Sequence, residues 1–343
     1  MHKEKIIIDV DTGSDDAVAL VCALLSEDID VLGVTTVGGN VELKNTTDNT
    51  LRVLELCDSC DIPVYMGAEL PLVSTLVPWG IQGMTLPHRE ILGDDKERVH
   101  PHHLPLPLPP TSLRANEQRA PLWIVEKLLQ MPDRSVTIVP VGPQTNLALA
   151  IRSDDRILKK IKRVVMMGGS HDVYASTQAA EFNVWVDPEA VEIVLSSGLD
   201  VTMVSLDATS NAYLNYEQAA QIRAIGTKQA VFVADMIEQR LRASDNNLGK
   251  TKGKIVGAAL HDPLAVCAVV HPEVLSEIWD TSCHVDLGRG YAYGETVLGR
   301  NYTVIRDKQG HQVDLPINCH YAKKADSRVF FHWMYDLLLK TKE

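Results

Sequence analysis

Short apolar runs rich in β-branched residues alternate along the chain with stretches whose apolar positions recur every three or four residues. The runs Lys5–Asp11, Val31–Val37, Pro63–Met66, Val136–Val141, Arg163–Met167 and Val201–Leu206 predict strands. Helical spacing predicts helices over Asp15–Leu25, Thr46–Leu56, Glu117–Leu129, Thr145–Ile151, Pro188–Ser196, Lys228–Leu241 and Pro263–Val270. Strand–helix alternation at this spacing is the pattern of an α/β fold with a mostly parallel sheet.

Turn-forming residues follow the strands: Gly13, Gly38-Gly39-Asn40, Gly67, Gly142, Gly168-Gly169 and Asp207. In an open parallel sheet the carboxyl ends of the strands line the ligand crevice, so these turns are expected on one rim. Two segments break the rhythm. Residues 71–115 hold eight of the seventeen prolines and His88, His100, His102 and His103. Residues 243–258 are polar and contain glycine, and lead into His261-Asp262-Pro263. Both are expected to be mobile flaps over the site. The histidines of "HPHH" (100–103) lack partner cysteines or carboxylates at ligand spacing, so a solvated loop is the favoured reading over a zinc site.

Composition narrows the classes. The 343 residues are 45% hydrophobic and 23% charged, enough for a substantial core. A net charge of −12 argues against binding duplex nucleic acid, which needs a basic face. The amino terminus enters a strand directly, without signal-peptide pattern, and no apolar run is long enough to span a bilayer. Six scattered cysteines predict a reducing, cytoplasmic setting, and Cys57-Asp-Ser-Cys60, with no second pair, is expected to be structural.

The densest chemistry lies in "IIIDVDTGSDDAVALVCALL" (6–25), where Asp9, Asp11, Asp15 and Asp16 fall within eight positions. Helix-start preference for aspartate accounts for Asp15 and Asp16. It does not account for Asp9 and Asp11 as well. Carboxylates so close raise one another's pKa, and a hard cation relieves the repulsion; an all-oxygen site fits Ca²⁺ better than Mg²⁺. An EF-hand fails, since counting from Asp11 its glycine and glutamate positions hold Asp16 and Cys22. A phosphatase of the haloacid-dehalogenase type, with Asp9 as nucleophile, needs Thr or Val where Gly13 stands.

Asp9-Val-Asp11-Thr12-Gly13-Ser14-Asp15-Asp16-Ala17 matches the Asp-x-Asp-x-Gly-x-Asp-Asp-Ala signature of the inosine–uridine-preferring nucleoside hydrolases. Four more segments match in order: "TTVGGNVELKNTTDNTLRVLEL" (35–56), "VTIVPVGPQTNLALAI" (136–151), "VVMMGGS…AAEFNVWVDPEAVEIVLSSG" (164–198) and "HDPLAV" (261–266). "GETV" (294–297) is a weaker echo. The chain thus resembles that family from residue 5 to about 300. The resemblance implies one domain over 1–343, an open Rossmann-like sheet flanked by helices, and hydrolysis of a ribonucleoside to ribose and free base. It implies a Ca²⁺ held by Asp11, Asp16, Asp262 and the carbonyl of Val141. Asp15, Asn40 and Asn183 would bind the ribose diol, Glu181 the 5′-hydroxyl, and Met167 would pack near the sugar. Asp9 would support the metal aspartates; Asp11 would act as general base and His261 as the leaving-group acid. Glu181 and Asn183, two apart, would point the same way from an extended segment, with Phe182 opposite. A homodimer or homotetramer is the family's habit.

Departures concentrate around the base. Trp79-Gly80 stands where many members have His-Gly, and Ala175 where an asparagine helps bind the 5′-hydroxyl. The helix before His261 lacks the usual tyrosine and carries Arg240, Arg242 and Asn246. Trp79 could stack on a base or anchor a flap. The altered pocket keeps a second reading open: a non-catalytic or altered-specificity binder of nucleosides on the same fold.

Overall fold

The computed structural model describes residues 3–73, 106–173, 177–248, 257–299, 305–306, 308–313 and 316–342, with 244–248, 305–306 and 312–313 as backbone only. Six strands carry the parallel part of the sheet: β1 (Glu4–Val10), β2 (Ile29–Thr36), β3 (Val64–Met66), β4 (Val136–Pro140), β5 (Ile161–Met167) and β6 (Val201–Val204). Further along lie β7 (Tyr213–Leu214) paired with β8 (Ala258–Ala259), then β9 (Leu275–Val285), β10 (Thr296–Gly299), a ribbon of β11 (Ile305–Arg306) and β12 (Gln312–Val313), and β13 (Cys319–Ala325). The helices are α1 (Ser14–Leu25), α2 (Leu43–Leu56), α3 (Ala120–Leu129), α4 (Thr145–Ser153), α5 (Phe182–Val186), α6 (Pro188–Leu195), α7 (Leu206–Thr209), α8 (Tyr216–Arg223), α9 (Lys228–Leu248), α10 (His261–Val270) and α11 (Ser327–Lys340).

The nine-stranded sheet has the order β10-β9-β13-β6-β5-β4-β1-β2-β3. β13 joins β6 in parallel, while β9 and β10 run antiparallel at that edge. The middle of the order, 3-2-1-4-5-6, is that of a doubly wound sheet, in which the chain starts at β1, builds outward to one side, and returns to build the other from β4. The crevice of such a sheet opens at the carboxyl ends of the two strands where the order reverses, here β1 and β4.

β1 is buried on both faces, which is why it reads as a continuous apolar run. Ile6, Ile8 and Val10 face a core built with α1, α2, α9, α10 and α11, and Ile7 faces a second core with α3, α4 and α6. Truncating a fully buried isoleucine here to alanine costs roughly 2–5 kcal/mol. Among the described residues no helix is long and apolar enough to cross a membrane.

Two expectations about the loops change. The end of the first expected flap is packed down: Leu106 is buried with its amide on Asn49 Oδ1 (3.0 Å), and the Arg52 guanidinium donates to the Leu108 carbonyl (2.6 Å). Asn116 donates its amide to the Val64 carbonyl (2.8 Å) beside β3. In the second, 243–248 continues α9 and Ala258–Ala259 pairs with β7. Residues 74–105 and 249–256, with Trp79 and the loop histidines, lie outside the described residues, as does Ala175.

Candidate active site

The turn from β1 into α1 carries the aspartates. Asp16, in the first turn of α1, folds back so that Oδ1 accepts the Asp11 amide (3.0 Å) and Oδ2 the Gly13 amide (2.9 Å). This satisfies donors that a helix start leaves without partners. Across the rim, in the turn after β2, the Asn40 amide donates to Asp11 Oδ2 (2.5 Å) and its side chain to Asp16 Oδ2 (3.0 Å). That close approach needs glycine at two flanking positions. A Cβ on Gly39 would stand 1.9 Å from Asp11 Oδ2, and one on Gly142 would stand 2.8 Å from Oδ1. Asp9, at the end of β1, is held from behind: Thr35 (2.6 Å) and Asn146 (2.8 Å) both donate to its Oδ1.

Helix α10 packs along α1, which brings a residue 246 positions further along the chain to the same place. Carboxylate oxygens of Asp15, Asp16 and Asp262 lie within 4.8 Å of one another, all three side chains buried. The family resemblance groups Asp11 with Asp16 and Asp262 and gives Asp15 to the sugar; the structure puts Asp15 in the converging trio. Asp11 adjoins it through Asp16, and its Oδ1 is buried with no hydrogen-bond partner among the described residues. All three aspartates of the trio sit in first turns of α1 or α10, where the helix dipole offsets part of their repulsion.

That offset is incomplete. Burial, reinforced by the neighbouring carboxylates, pushes the pKa values of Asp11, Asp16 and Asp262 above the usual aspartate range. Burial lifts Asp9 to about 7 against its two hydrogen bonds. A set of hard oxygen donors held together at such cost, with an unpaired oxygen on Asp11, fits a hard divalent cation.

Sequence reasoning named Arg240 as a neighbour without a role. It lies on α9, half-buried, in an ion pair with Asp15, and donates to Ser14 Oγ (3.2 Å) and to the Ala259 carbonyl (3.0 Å). Its guanidinium sets one positive charge against the carboxylate cluster. His261 shares a short hydrogen bond between Nδ1 and Thr209 Oγ1 (2.7 Å). Thr209 has one hydroxyl hydrogen, and the Leu206 carbonyl (3.2 Å) can only accept it. Both bonds are satisfied together when Nδ1–H of His261 donates to Thr209 Oγ1, which leaves Nε2 of the neutral ring as an acceptor. Burial lowers the pKa of His261 to about 4, so the imidazole is neutral near pH 7.

The other wall corrects the expected extended segment. Residues 182–186 form helix α5, and Glu181 is its N-cap. The Glu181 carboxylate accepts the amides of Asn183 (3.0 Å), Val184 (3.2 Å) and Gly169 (3.1 Å). Gly169 has φ +77, and its contact with Met203 leaves no room for a Cβ. Glutamate is not a favoured N-cap, so the i, i+2 spacing suits a strand, but the backbone donors of the helix start claim the carboxylate. Burial nevertheless lifts Glu181 to about 7. Asn183 reaches the same rim by a different route, donating to the Val141 carbonyl (2.7 Å) and, at 3.3 Å, to that of Met167. Met167 is buried in the core, and Phe182 packs with Trp185, Ala180 and Tyr293. Residues from the ends of β1, β4 and β5, the turn after β2 and the start of α10 thus share one crevice. Asn146, Thr35 and Thr209, which hold its members, carry no signal in the sequence beyond being polar residues near strand ends.

A sequence profile of the inosine-uridine preferring nucleoside hydrolases matches residues 6–332. The pyrimidine-specific ribonucleoside hydrolase RihA of Escherichia coli O1:K1 is 36% identical over 298 residues, covering 87% of this chain and 89% of RihA. Among solved structures, the plant nucleoside hydrolase PpNRh1 superposes with a TM-score of 0.82 at 26% identity, covering 98% of this chain and 99% of that one. The purine-preferring ribonucleoside hydrolase of Gardnerella vaginalis gives 0.81 at 26%, with the same coverage. On this agreement of profile, relatives and fold, the chain belongs to the inosine-uridine preferring nucleoside hydrolase family and is a hydrolase acting on N-glycosyl compounds.

Proposed function

We propose that this chain hydrolyses the N-glycosidic bond of a ribonucleoside, releasing ribose and free base, with a Ca²⁺ at the aspartate cluster. Ribonucleoside hydrolysis as such is supported by the family and by named relatives. The observation that carries the metal and the site is the convergence of Asp15, Asp16 and Asp262 beside the unpaired Oδ1 of Asp11. Asp11, Asp16 and Asp262 would hold the cation, with the Val141 carbonyl as a further donor; Asp15 is near enough to join them or to turn to the sugar. When bound, the cation supplies charge neutralisation and lowers the pKa of water.

The remaining steps fall to the chain's own groups. Breaking the C1′–N bond develops positive charge on the ribose, which the buried carboxylates stabilise in a low-dielectric site. Asp11 Oδ1 takes the proton of the attacking water as general base, a role typically worth about 10²–10⁴-fold in rate. Asp15, Asn40 and Asn183 bind the vicinal hydroxyls, Glu181 the 5′-hydroxyl, and Met167 packs near the sugar. His261 is proposed to pass a proton to the departing base and return to its neutral form, the balance being closed by the proton that the attacking water gives up. Trp79 remains the proposed base-side residue.

RihA is named for pyrimidine nucleosides, at the higher identity, and we propose a pyrimidine ribonucleoside as the preferred substrate. The six cysteines are free thiols, which supports a reducing compartment, and a homodimer or homotetramer is proposed from the family's habit. The test is free ribose released from uridine, cytidine, inosine, adenosine and guanosine, with and without chelator. Release from uridine or cytidine, abolished by chelation, supports the proposal. Thermal stabilisation by nucleosides with no ribose from any of them favours a binding protein.

A further inference from the structure

Asp207 has no part in the chemistry above, yet it is among the most heavily engaged side chains of the described residues. It sits in the first turn of α7, directly after β6, and is 1% exposed. Its Oδ1 accepts the amides of Asp172 (3.0 Å) and Val173 (2.9 Å), and its Oδ2 the amide of His171 (3.0 Å) and the hydroxyl of Tyr321 (2.5 Å). The Lys323 ammonium stands 3.3 Å from Oδ2 and bonds Asp172 at 2.6 Å. Three successive backbone amides converging on one carboxylate form an anion nest. Burying an acidic group is costly unless every lone pair is satisfied. This one is satisfied by the loop after β5 on one side and by β13 on the other.

The loop so gripped leads to Glu181, and a second bond couples the two. The Leu206 amide, next to Asp207, donates to the Gly169 carbonyl (2.8 Å), while the Gly169 amide donates to Glu181 Oε2 (3.1 Å). One peptide residue therefore has its carbonyl fixed by α7 and its amide fixed on the Glu181 carboxylate. The positive φ of Gly169 lets it face both ways. Two residues past Asp207, Thr209 orients His261 (2.7 Å).

We propose that Asp207 is a positioning residue: by anchoring residues 171–173 to the start of α7 and to β13, beside the Leu206–Gly169 bond, it holds the Glu181 carboxylate where it reads the 5′-hydroxyl of the substrate. The inference rests on the reading of Glu181 as the 5′-hydroxyl contact. An asparagine at 207 keeps the shape but replaces one accepting oxygen with an NH₂ group facing amide donors, so the anchor loosens without a change in volume.

The test compares kcat and KM for uridine and 5′-deoxyuridine in the Ca²⁺-loaded wild type, Asp207→Asn, Glu181→Gln and the double variant. A site built to hydrogen-bond a hydroxyl discriminates strongly against its absence. Glu181→Gln is expected to cut the uridine preference about tenfold or more, Asp207→Asn to cut it several-fold through KM for uridine, and the double variant to lose no more than Glu181→Gln alone. A merely structural role would lower both substrates equally and leave the ratio unchanged, which overturns the inference. If Glu181→Gln preserves the preference, or the wild type cleaves neither substrate, the reading of Glu181 falls and the inference with it. Should Asp207→Asn fail to fold, Tyr321→Phe removes one donor from the same oxygen. It is expected to shift the ratio in the same direction by a smaller factor, and an unchanged ratio counts against the proposal.

Discussion

Asp11 is buried, crowded by Asp16, and left with one oxygen that nothing else in the described structure satisfies. Asp11→Ala should therefore leave the metal-free chain as stable as the wild type or slightly more so. It should abolish stabilisation by Ca²⁺ and cut ribose release by about 10²–10⁴-fold; thermal unfolding with and without Ca²⁺, beside the ribose assay, checks this. Arg240 behaves oppositely. Removing it takes the opposing charge from buried Asp15, a loss on the order of 3–5 kcal/mol, so Arg240→Met should be strongly destabilised without metal and much less so with Ca²⁺, measured by denaturant unfolding in both states. At this scale the sequence was informative where the aspartates crowd together, since repulsion is visible in spacing alone. It was silent on the Asp15–Arg240 pair, because nothing local links residues on α1 and α9.

The turns and helix starts decide whether those residues meet. Gly39 lies so close to Asp11 that Gly39→Ala must displace the Asp11 carboxylate. Calcium affinity measured by calorimetry should fall at least tenfold in that variant, with far-ultraviolet circular dichroism unchanged. Asp187 caps α6 and joins three segments: it accepts from the Leu72 amide (2.9 Å), Thr145 Oγ1 (2.6 Å) and the Ala190 amide (3.1 Å). Burial outweighs these bonds and lifts its pKa to about 6, with nearby Glu189 adding to the rise. The folded chain thus binds this proton more readily than the unfolded chain. The contribution to stability is full below about pH 4 and is lost as pH rises through about 6, amounting to about 3 kcal/mol for a shift of this size. Asp187→Asn should remove that part of the pH slope in unfolding measured from pH 4 to 7.5, whatever constant offset its lost bonds impose. Elements with a single dominant signal were legible: α1, α6 and β1–β6 fall within a few residues of their predicted bounds. α2 starts three residues before its predicted start, because Thr46 and Thr47, poor helix formers, bond back to the Leu43 carbonyl (2.9 and 2.7 Å). The Glu181 cap was misread for the complementary reason, since backbone donors there outcompete the alternation of side chains.

For the whole molecule, the doubly wound core and the rim of turns were legible from strand–helix alternation. The far edge of the sheet was not. β9 and β13 mix apolar with charged residues, and Lys323 is buried in β13 with Asp172 and Asp207 meeting it from elsewhere in the fold. Tertiary charge partners of this kind leave no periodic trace. The same architecture places acidic side chains from the two ends of the chain around one point, and the account stands on a single cation there enabling hydrolysis. The direct measurement is ribose release from uridine by chelator-treated protein as Ca²⁺ is titrated back. Activity should be absent at the start and rise to a plateau at one equivalent per chain, with neither Asp11→Ala nor Asp262→Asn recovering it. Full activity after chelation, or recovery by Asp262→Asn equal to that of the wild type, would contradict the account.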